Sequence, residues 1–462
     1  VDNKQKKLPP VQKGNTYTIK IDGLGHSGEG VGRFQDFTIF VPGGLPGEQV
    51  LVRITQVKSS YAKGVMTSVA AASPDRIIPR CEIYEACGGC QLQHLSYPAQ
   101  LQAKQQQVIA AVSRIAKAEN VVILPTLGAI HPWDYRNKMQ FPVGLENGKR
   151  TIGCFASGTH QVIDTENCYI QHALNNRIAA EVRRLLQQFN VSVYDEQTGQ
   201  GIIRHVIGRV GTASGEAMVV LVTATDKLPH SAEIVAELRR TRPELVSIVQ
   251  NVNPKRTNVI MGDRNRLLWG KEYITDKLGD FHFNISPRSF FQVNTEQARV
   301  LYDKAVEYAG LTSRETVIDA YCGTGTIAMF MARQAAKVYG IEIVEAAIAD
   351  AKVNARNNDV SNVEFICGDA IEVMPKLAKQ GIRADVVVTD PPRAGCAPKV
   401  LETFAGMNPE RIVYVSCNPA SLARDLAVLA EYGYIAREIQ PVDMFPQTHH
   451  VECVALIERK KA

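Results

Sequence analysis

Residues 316–336, TVIDAYCGTGTIAMFMARQAA, decide the fold. TVIDA (316–320) is a short β-branched strand, YCGTGT (321–326) a glycine turn, and IAMFMARQAA (327–336) an apolar helix. Glycines in the turn let the backbone approach a ligand closely, and the start of the helix offers unpaired N–H groups. The next strand, VYGIEIV (338–344), carries Glu342, nineteen residues beyond Gly323. A carboxylate there accepts hydrogen bonds from both ribose hydroxyls of an adenosine. From about residue 285 to the end, strand, turn and helix recur in succession, which predicts a parallel, doubly wound sheet. Gly323-x-Gly325-x-x-Ala328 also satisfies the relaxed dinucleotide fingerprint, so an NAD-linked oxidoreductase stays open at this point.

Farther along, GDA (368–370) follows a strand, a position from which Asp369 could contact an adenine. ADVVVTDPPR (384–393) drives an apolar strand into Asp390-Pro391-Pro392. A carboxylate at the carboxyl end of such a strand faces the ligand crevice, and two prolines stiffen the loop beyond it. This succession resembles the class I S-adenosylmethionine-dependent methyltransferases. Amino-methylating relatives usually place an aromatic residue after Pro-Pro to stack on a flipped base; Arg393 stands there instead and argues against that chemistry.

IVYVSCNPASLARDL (412–426) is a strand ending in Ser416-Cys417-Asn418-Pro419 with a helix close behind. Cys417 shares the rim of the sheet with Asp390, and a thiol beside a helix N-terminus is biased toward thiolate. A lone cysteine is more often a small buried hydrophobe, but these neighbours favour a nucleophile. In PVDMFPQTHHVECVALIERK (441–460), Glu452 is polar at the start of an otherwise apolar strand. As core it is anomalous, and as a base it makes sense; a solvated edge residue is the alternative. His449 and His450 lack a spaced third ligand and read as structural or phosphate contacts.

The N-terminal part differs. TYTIKI (16–21), FTIFVP (37–42), QVLVRITQV (49–57) and AKGVMTSV (62–69) alternate apolar and polar residues between glycine-rich turns, GLGHSGEGVG (23–32) and PGGLPGE (42–48). Four or five such strands predict a small antiparallel barrel, and the segment resembles a TRAM domain, an OB-like barrel attached to RNA-modifying enzymes. After the linker AASPDRIIPR (71–80), Cys81-x5-Cys87-Gly88-Gly89-Cys90 puts three thiols within ten residues, with glycines that let the backbone wrap a bulky centre. Cys154 and Cys168 are the central candidates for a fourth thiolate that would complete a four-cysteine site, and a tetrahedral zinc site uses such ligands. A polar, glutamine-rich helix over about 97–118 and an α+β pattern over 120–270 follow.

The 462 residues suit two to four domains, and 45% hydrophobic with 21% charged residues is globular. Lys and Arg number 52 against 47 Asp and Glu, a net +5; residues 1–70 hold nine cations and five anions, most of that excess. A basic front end suits a polyanion partner, or is an ordinary solvated surface. No run reaches the roughly 18 apolar residues of a membrane span, and VDNKQKKLPP (1–10) lacks the apolar core of a signal peptide, so a cytoplasmic protein is expected. In that reducing compartment ten cysteines point to metal binding, catalysis or packing rather than disulfides.

Taken together, FFQVNTEQ (290–297), DAYCGTG (319–325), GIEIVEAAI (340–348), DPPRAGC (390–396), VSCNPASLARD (415–425) and DMFPQTHHVE (443–452) resemble the RNA 5-methyluridine methyltransferases. The 23S ribosomal RNA branch is the one it resembles most, because the transfer RNA branch typically lacks both barrel and cysteine cluster. The resemblance implies Cys417 as nucleophile and Glu452 as base. It also implies a cofactor pocket of Gln292, Tyr321, Thr326, Glu342, Asp369 and Asp390, and a [4Fe–4S] cluster on Cys81, Cys87, Cys90 and Cys168. Uracil C5 is a poor nucleophile, so a thiolate must add at C6 before C5 can attack a sulfonium methyl, and a base must then remove the C5 proton. The uridine must be flipped out of any stack, with the barrel, Arg136 and Lys138 as candidates to hold the RNA.

The expected organisation is multidomain. It comprises a TRAM OB-like barrel (10–69), a central α+β domain with the cluster cysteines (75–275) and a class I, Rossmann-like methyltransferase domain (276–462), with the helix over about 95–118 packing on the last. The competing readings are the NAD-linked oxidoreductase, a non-catalytic RNA-binding assembly factor and an RNA cytosine-5 methyltransferase. The first leaves the Ser-Cys-Asn-Pro and His-His-Val-Glu motifs unexplained. The last usually sets its thiol beside the proline that Arg393 follows here.

Overall fold

Thr16–Leu24, Gly30–Phe34, Phe37–Val41, Tyr61–Ala71 and Gln49–Val57 hydrogen-bond in that order around a closed five-stranded barrel in the computed structural model, which describes residues 8–118 and 120–460. Alternate residues Ile19, Ile21, Ile39, Val41, Val50 and Val52 are fully buried and fill it. Gly30–Phe34 lies partly inside the stretch read from sequence as a turn. Gly32 explains the difference: a Cβ there would stand 2.3 Å from the Lys20 carbonyl oxygen, so this glycine serves the close approach of two strands rather than a bend.

The central unit is a seven-stranded sheet in the order Arg264–Gly270, Leu245–Val252, Ala217–Thr223, Ile203–Val210, Lys138–Glu146, Lys149–Phe155 and Val162–Asp164. Helices Ala173–Gln188 and Ser231–Thr241 share one core with Met139, Val219 and Leu221. The alternate residues Ile207, Met218, Val220 and Val222 turn the other way and pack into the core of the C-terminal half. Both faces are therefore covered, which is why these strands read as continuous apolar runs.

The C-terminal sheet has eight strands in the order Val363–Cys367, Lys337–Glu342, Thr316–Asp319, Val386–Thr389, Arg411–Ser416, Glu452–Arg459, Tyr434–Val442 and Val122–Ile123. The first five are parallel, and Glu452–Arg459 runs antiparallel to both its neighbours. Its last member comes from far upstream. Helix Tyr97–Ala111 and the π-helical turn Val112–Ala116 pack on helix Pro419–Glu431, burying Val108 and Val112 in a core shared with Leu422 and Leu426, and the chain then adds Val122–Ile123 to the sheet edge. A unit drawn continuously over 75–275 is thus interrupted, because a two-residue edge strand paired across 316 positions leaves no periodic trace in the sequence. Among the described residues no helix is long and apolar enough to cross a membrane.

Candidate active site

Parallel strands deliver their carboxyl ends to a common rim. Thr316–Asp319 ends on Asp319 and Lys337–Glu342 on Glu342, while Asp390 and Cys417 directly follow Val386–Thr389 and Arg411–Ser416. Glu452 reaches the same rim from the opposite direction. Ser416 pairs with Cys453 across the antiparallel ladder, so one step farther brings Cys417 and Glu452 side by side.

Asp319, 0% exposed, has no hydrogen-bond partner on either oxygen. Burial and the neighbouring Asp390 push its pKa up to about 8, against the weaker pull of the Tyr321 and Ala328 N–H groups. Burial alone lifts Asp390 to about 7. Burial, then Asp390, lift Glu452 to about 8, opposed by the Arg393 guanidinium. Two buried carboxyls, Asp319 and Glu452, and the half-buried Asp390, without a protein cation tight against them, suit a cationic ligand, and the sulfonium and ammonium of S-adenosylmethionine fit that donor set.

The thiol departs from its expected bias. Cys417 is raised to about 11 by burial and then by Glu452 and Asp390; Arg393 pulls down without reversing the sign. The helix start is also partly spent, since the Asn418 side chain accepts the Ala420 N–H at 3.1 Å. Thiolate character must therefore come from a cation entering the site or from proton transfer, not from the resting helix terminus.

The glycine turn has the left-handed geometry its residues permit, with φ of 52° at Gly323 and 82° at Gly325. Glu342 accepts the Gly323 N–H at 3.3 Å and the Val344 N–H at 2.9 Å. Thr326 opens helix Thr326–Ala332, and Asp369 caps helix Ala370–Lys379 through the Ile371 N–H, 2.9 Å away. Tyr321, half-buried, lies near the Cys396 thiol and Asp369. Gln292 is held by its carbonyl, which accepts from Asn137 Nδ2 at 2.8 Å. Its side chain reaches Tyr302, a buried residue of helix Thr295–Ala309 whose hydroxyl also faces Asp390, Glu452 and Asp319. Sequence reasoning missed Tyr302; its only signal is an aromatic on the buried face of a helix that follows the FFQVN motif.

Cys417 opens into a groove of about 780 Å³. Arg33 and Phe40 of the barrel, Arg114 of the π-helical turn, and Arg393 and His450 line it. His450 is driven down to about 4 by burial and His449, and His449 is also lowered by burial while its Nδ1 lies 3.1 Å from Gln91 Oε1. Both imidazoles are thus neutral near pH 7. Lys138 is not a solvated cation either: burial, then Arg209 and Arg136, hold it down to about 8.

A second cavity, about 490 Å³, is lined by Cys81, Cys87, Cys90, Cys154 and Cys168, with Arg136 on its wall. Cys154 stands within hydrogen-bond reach of both Cys87 and Cys168. It arrives there because Ser157 N–H donates to Ala86 at 3.0 Å and Cys87 bridges Ala156, laying the end of its strand along the cysteine segment. Among the described residues no three Cys, His, Asp or Glu side chains converge into a metal-binding group. The five thiols line the cavity without closing into one.

Residues 96–460 match the family described as tRNA (uracil-5-)-methyltransferase, and residues 10–67 match the TRAM domain. A protein of Halalkalibacterium halodurans described as an uncharacterized RNA methyltransferase is 50% identical over 455 residues, 98% of this chain and 99% of its own. One from Clostridium tetani, described in the same words, is 49% identical over 452 residues, 98% of each chain. The crystal structure of Pyrococcus abyssi tRNA (uracil-54, C5)-methyltransferase in complex with S-adenosyl-L-homocysteine superposes with a TM-score of 0.77 at 30% identity, covering 96% of this chain and 100% of that one. Coverage that wide takes in the barrel. These likenesses set aside the NAD-linked reading of the glycine turn.

Proposed function

The chain belongs to the RNA uracil-5-methyltransferase family, with a TRAM domain and S-adenosylmethionine as methyl donor, and from that premise we propose that it methylates C5 of a uridine in 23S ribosomal RNA. The observation that carries the reading is the position of Cys417 in a groove whose facing wall is the barrel. Three arginines on that groove match a phosphate backbone, and a uridine flipped into it meets the thiol.

S-adenosylmethionine, when bound, supplies an electrophilic methyl. Cys417 Sγ adds to C6, which makes C5 an enolate-like carbon able to take that methyl. Glu452 then accepts the C5 proton, and the freed electron pair rebuilds the C5–C6 double bond and expels the Cys417 thiolate. Gln292, Tyr321, Thr326, Glu342, Asp369 and Asp390 are the residues we assign to the cofactor pocket, and Asp319 and Tyr302 join them on geometry. Cys81, Cys87, Cys90 and Cys168 would hold a [4Fe–4S] cluster of structural or RNA-orienting role. We take the barrel, central and catalytic units as 10–69, 75–275 and 276–462, with residues 97–123 docked on the last, and the enzyme as cytoplasmic.

The motif resemblance favours the ribosomal substrate. Neither the barrel nor the cysteine segment decides it, because the Pyrococcus transfer RNA enzyme aligns over 96% of this chain. A transfer RNA uridine is the second reading, favoured by the name of that enzyme and by the description of the family. Mass mapping of 5-methyluridine in ribosomal and transfer RNA from cells with and without the gene decides between them. Loss from transfer RNA alone overturns the ribosomal assignment, and loss from neither overturns the activity.

A further inference from the structure

The connection between Tyr434–Val442 and Glu452–Arg459 runs over residues 443–451, and the register pair Val442–Glu452 closes its base. Hairpin loops ordinarily lie in water, because a buried one must find a partner for each backbone polar group. This one is inside: Asp443 and Met444 are 0% exposed and Gln447 2%.

Five consecutive carbonyls meet donors from four distant parts of the chain. Gln297 Nε2 donates to Asp443 O at 3.1 Å and Asn294 Nδ2 to Met444 O at 3.1 Å. Lys104 Nζ donates to Phe445 O at 3.2 Å, the Tyr135 hydroxyl to Pro446 O at 3.0 Å, and the Gln91 and Leu92 N–H groups to Gln447 O at 3.1 and 3.0 Å.

Helix Tyr97–Ala111 supplies the strongest hold. Lys104 Nζ lies 2.5 Å from Asp443 Oδ1 with both side chains buried, and the Tyr97 hydroxyl donates to Asp443 Oδ2 at 2.9 Å. Gln100 and Gln447 exchange two bonds, Gln100 Nε2 to Gln447 Oε1 at 3.0 Å and Gln447 N to Gln100 Oε1 at 3.1 Å. Gln447 is kept at φ 71°, a left-handed conformation that persists in a non-glycine residue only where its surroundings over-determine it.

Resting on the reading of Glu452 as the base, we propose that Lys104 and Gln100 are positioning residues for proton abstraction, holding the loop that sets the Glu452 carboxylate beside Cys417. The thiol itself is placed by other contacts, since Ser416 Oγ and Asn418 organise its turn and Asn418 Nδ2 ties it to Arg393 O at 3.1 Å. Slackening the 443–451 loop therefore acts on the step that breaks C5–H and releases sulfur from C6, and spares the addition of sulfur to C6.

The test compares wild type, Glu452→Gln, the double variant Lys104→Met/Asp443→Leu, and Gln100→Leu. The double variant replaces a buried ion pair with apolar groups of similar size, which leaves no lone charge inside. In vitro transcripts of 23S ribosomal RNA and transfer RNA are incubated with labelled S-adenosylmethionine. Turnover, cofactor affinity, unfolding midpoint and the yield of detergent-stable methylated protein–RNA adduct are measured.

We expect cofactor affinity within about twofold of wild type, turnover reduced about 10- to 100-fold, and adduct raised about tenfold, as displacement of a catalytic group by about 1 Å implies. Lost turnover without adduct, or unchanged turnover in a folded variant, overturns the proposal. If the double variant fails to fold, Gln100→Leu carries the same expectation. Absence of adduct in Glu452→Gln refutes the base reading instead, and adduct in Glu452→Gln but not in the loop variants refutes only the positioning role.

Discussion

Cys417 and Glu452 stand side by side, one residue beyond the Ser416–Cys453 pair of adjacent antiparallel strands, and Glu452 raises the cost of ionising the thiol. A thiolate at Cys417 is therefore formed more readily while Glu452 is neutral. Replacing the thiol removes the covalent route altogether. Cys417→Ala is expected to lower turnover by about 10⁴-fold or more, on the scale of a lost nucleophile, with S-adenosylmethionine affinity retained in calorimetry. Measurable turnover within tenfold of wild type would rule out the nucleophile assignment.

Glu452 acts as a base only when ionised, and it is pushed up to about 8. The release step should therefore accelerate about tenfold per pH unit below 8 and level off above it. Rapid-quench measurement of adduct decay across pH 6 to 9 checks this. A flat profile points to another proton acceptor.

The same burial ties folding to pH. Asp319, Asp390 and Glu452 have native pKa values raised to about 8, 7 and 8, so the folded state binds protons that the unfolded chain has released. Their favourable contribution is complete below the ordinary carboxylate range near pH 4 and is lost as pH climbs to 8. The unfolding temperature of the ligand-free protein should fall across that window. Cofactor binding should tighten from pH 6 to 8 with proton release, because a sulfonium pairs with the ionised carboxylates. Asp319→Asn is expected to flatten the thermal profile and weaken binding about tenfold at pH 8, one charge–charge contact's worth. Calorimetry in two buffers of different ionisation enthalpy reads the protons directly.

Which features were legible in the sequence follows from where the information lies. Asp390 and Cys417 are visible because a parallel strand places its next residue at the ligand rim, so a short motif carries the geometry with it. Tyr302 is invisible by the same logic: helix Thr295–Ala309 buries one face regardless, and nothing local says that this face abuts a site. Cys154 and Cys168 are indistinguishable as fourth thiolates in the sequence, because the proximity of Cys154 to Cys87 depends on a strand pairing across about seventy positions. The sign of the Cys417 shift is illegible for a different reason. The helix start was in the sequence, whereas the burial and the two carboxylates that outweigh it exist only in the fold.

The cysteine cavity separates two thiols that spacing could not. Cys168→Ser should abolish iron and sulfide in anaerobically purified protein, while Cys154→Ser, outside the proposed ligand set, should retain about four irons per chain, as a cubane cluster holds. The reverse pattern would exchange their roles, and stoichiometric zinc without iron would refute the cluster.

The barrel is fastened through one buried carboxylate. Glu48, 0% exposed, receives Arg76 Nε at 2.6 Å and Nη2 at 2.7 Å, with the Leu45 N–H at 2.9 Å and the Ser73 N–H at 3.3 Å. Arg76 also donates to Gly43 O at 2.6 Å, so the linker after the barrel grips both the Glu48 turn and the strand end before it. Removing only the cation leaves a buried charge with two N–H partners, and Arg76→Ala is expected to destabilise the barrel by about 3 kcal/mol. The hydrogen bonds hold Glu48 below its ordinary pKa, so the contribution is present above the unfolded-state value and disappears as pH falls through the lowered one. Because the barrel forms one wall of the groove at Cys417, Arg76→Ala should weaken RNA binding while leaving S-adenosylmethionine affinity unchanged. Filter binding beside calorimetry checks both halves, and an equal loss of both ligands would mean that the linker supports the whole catalytic body rather than the barrel alone.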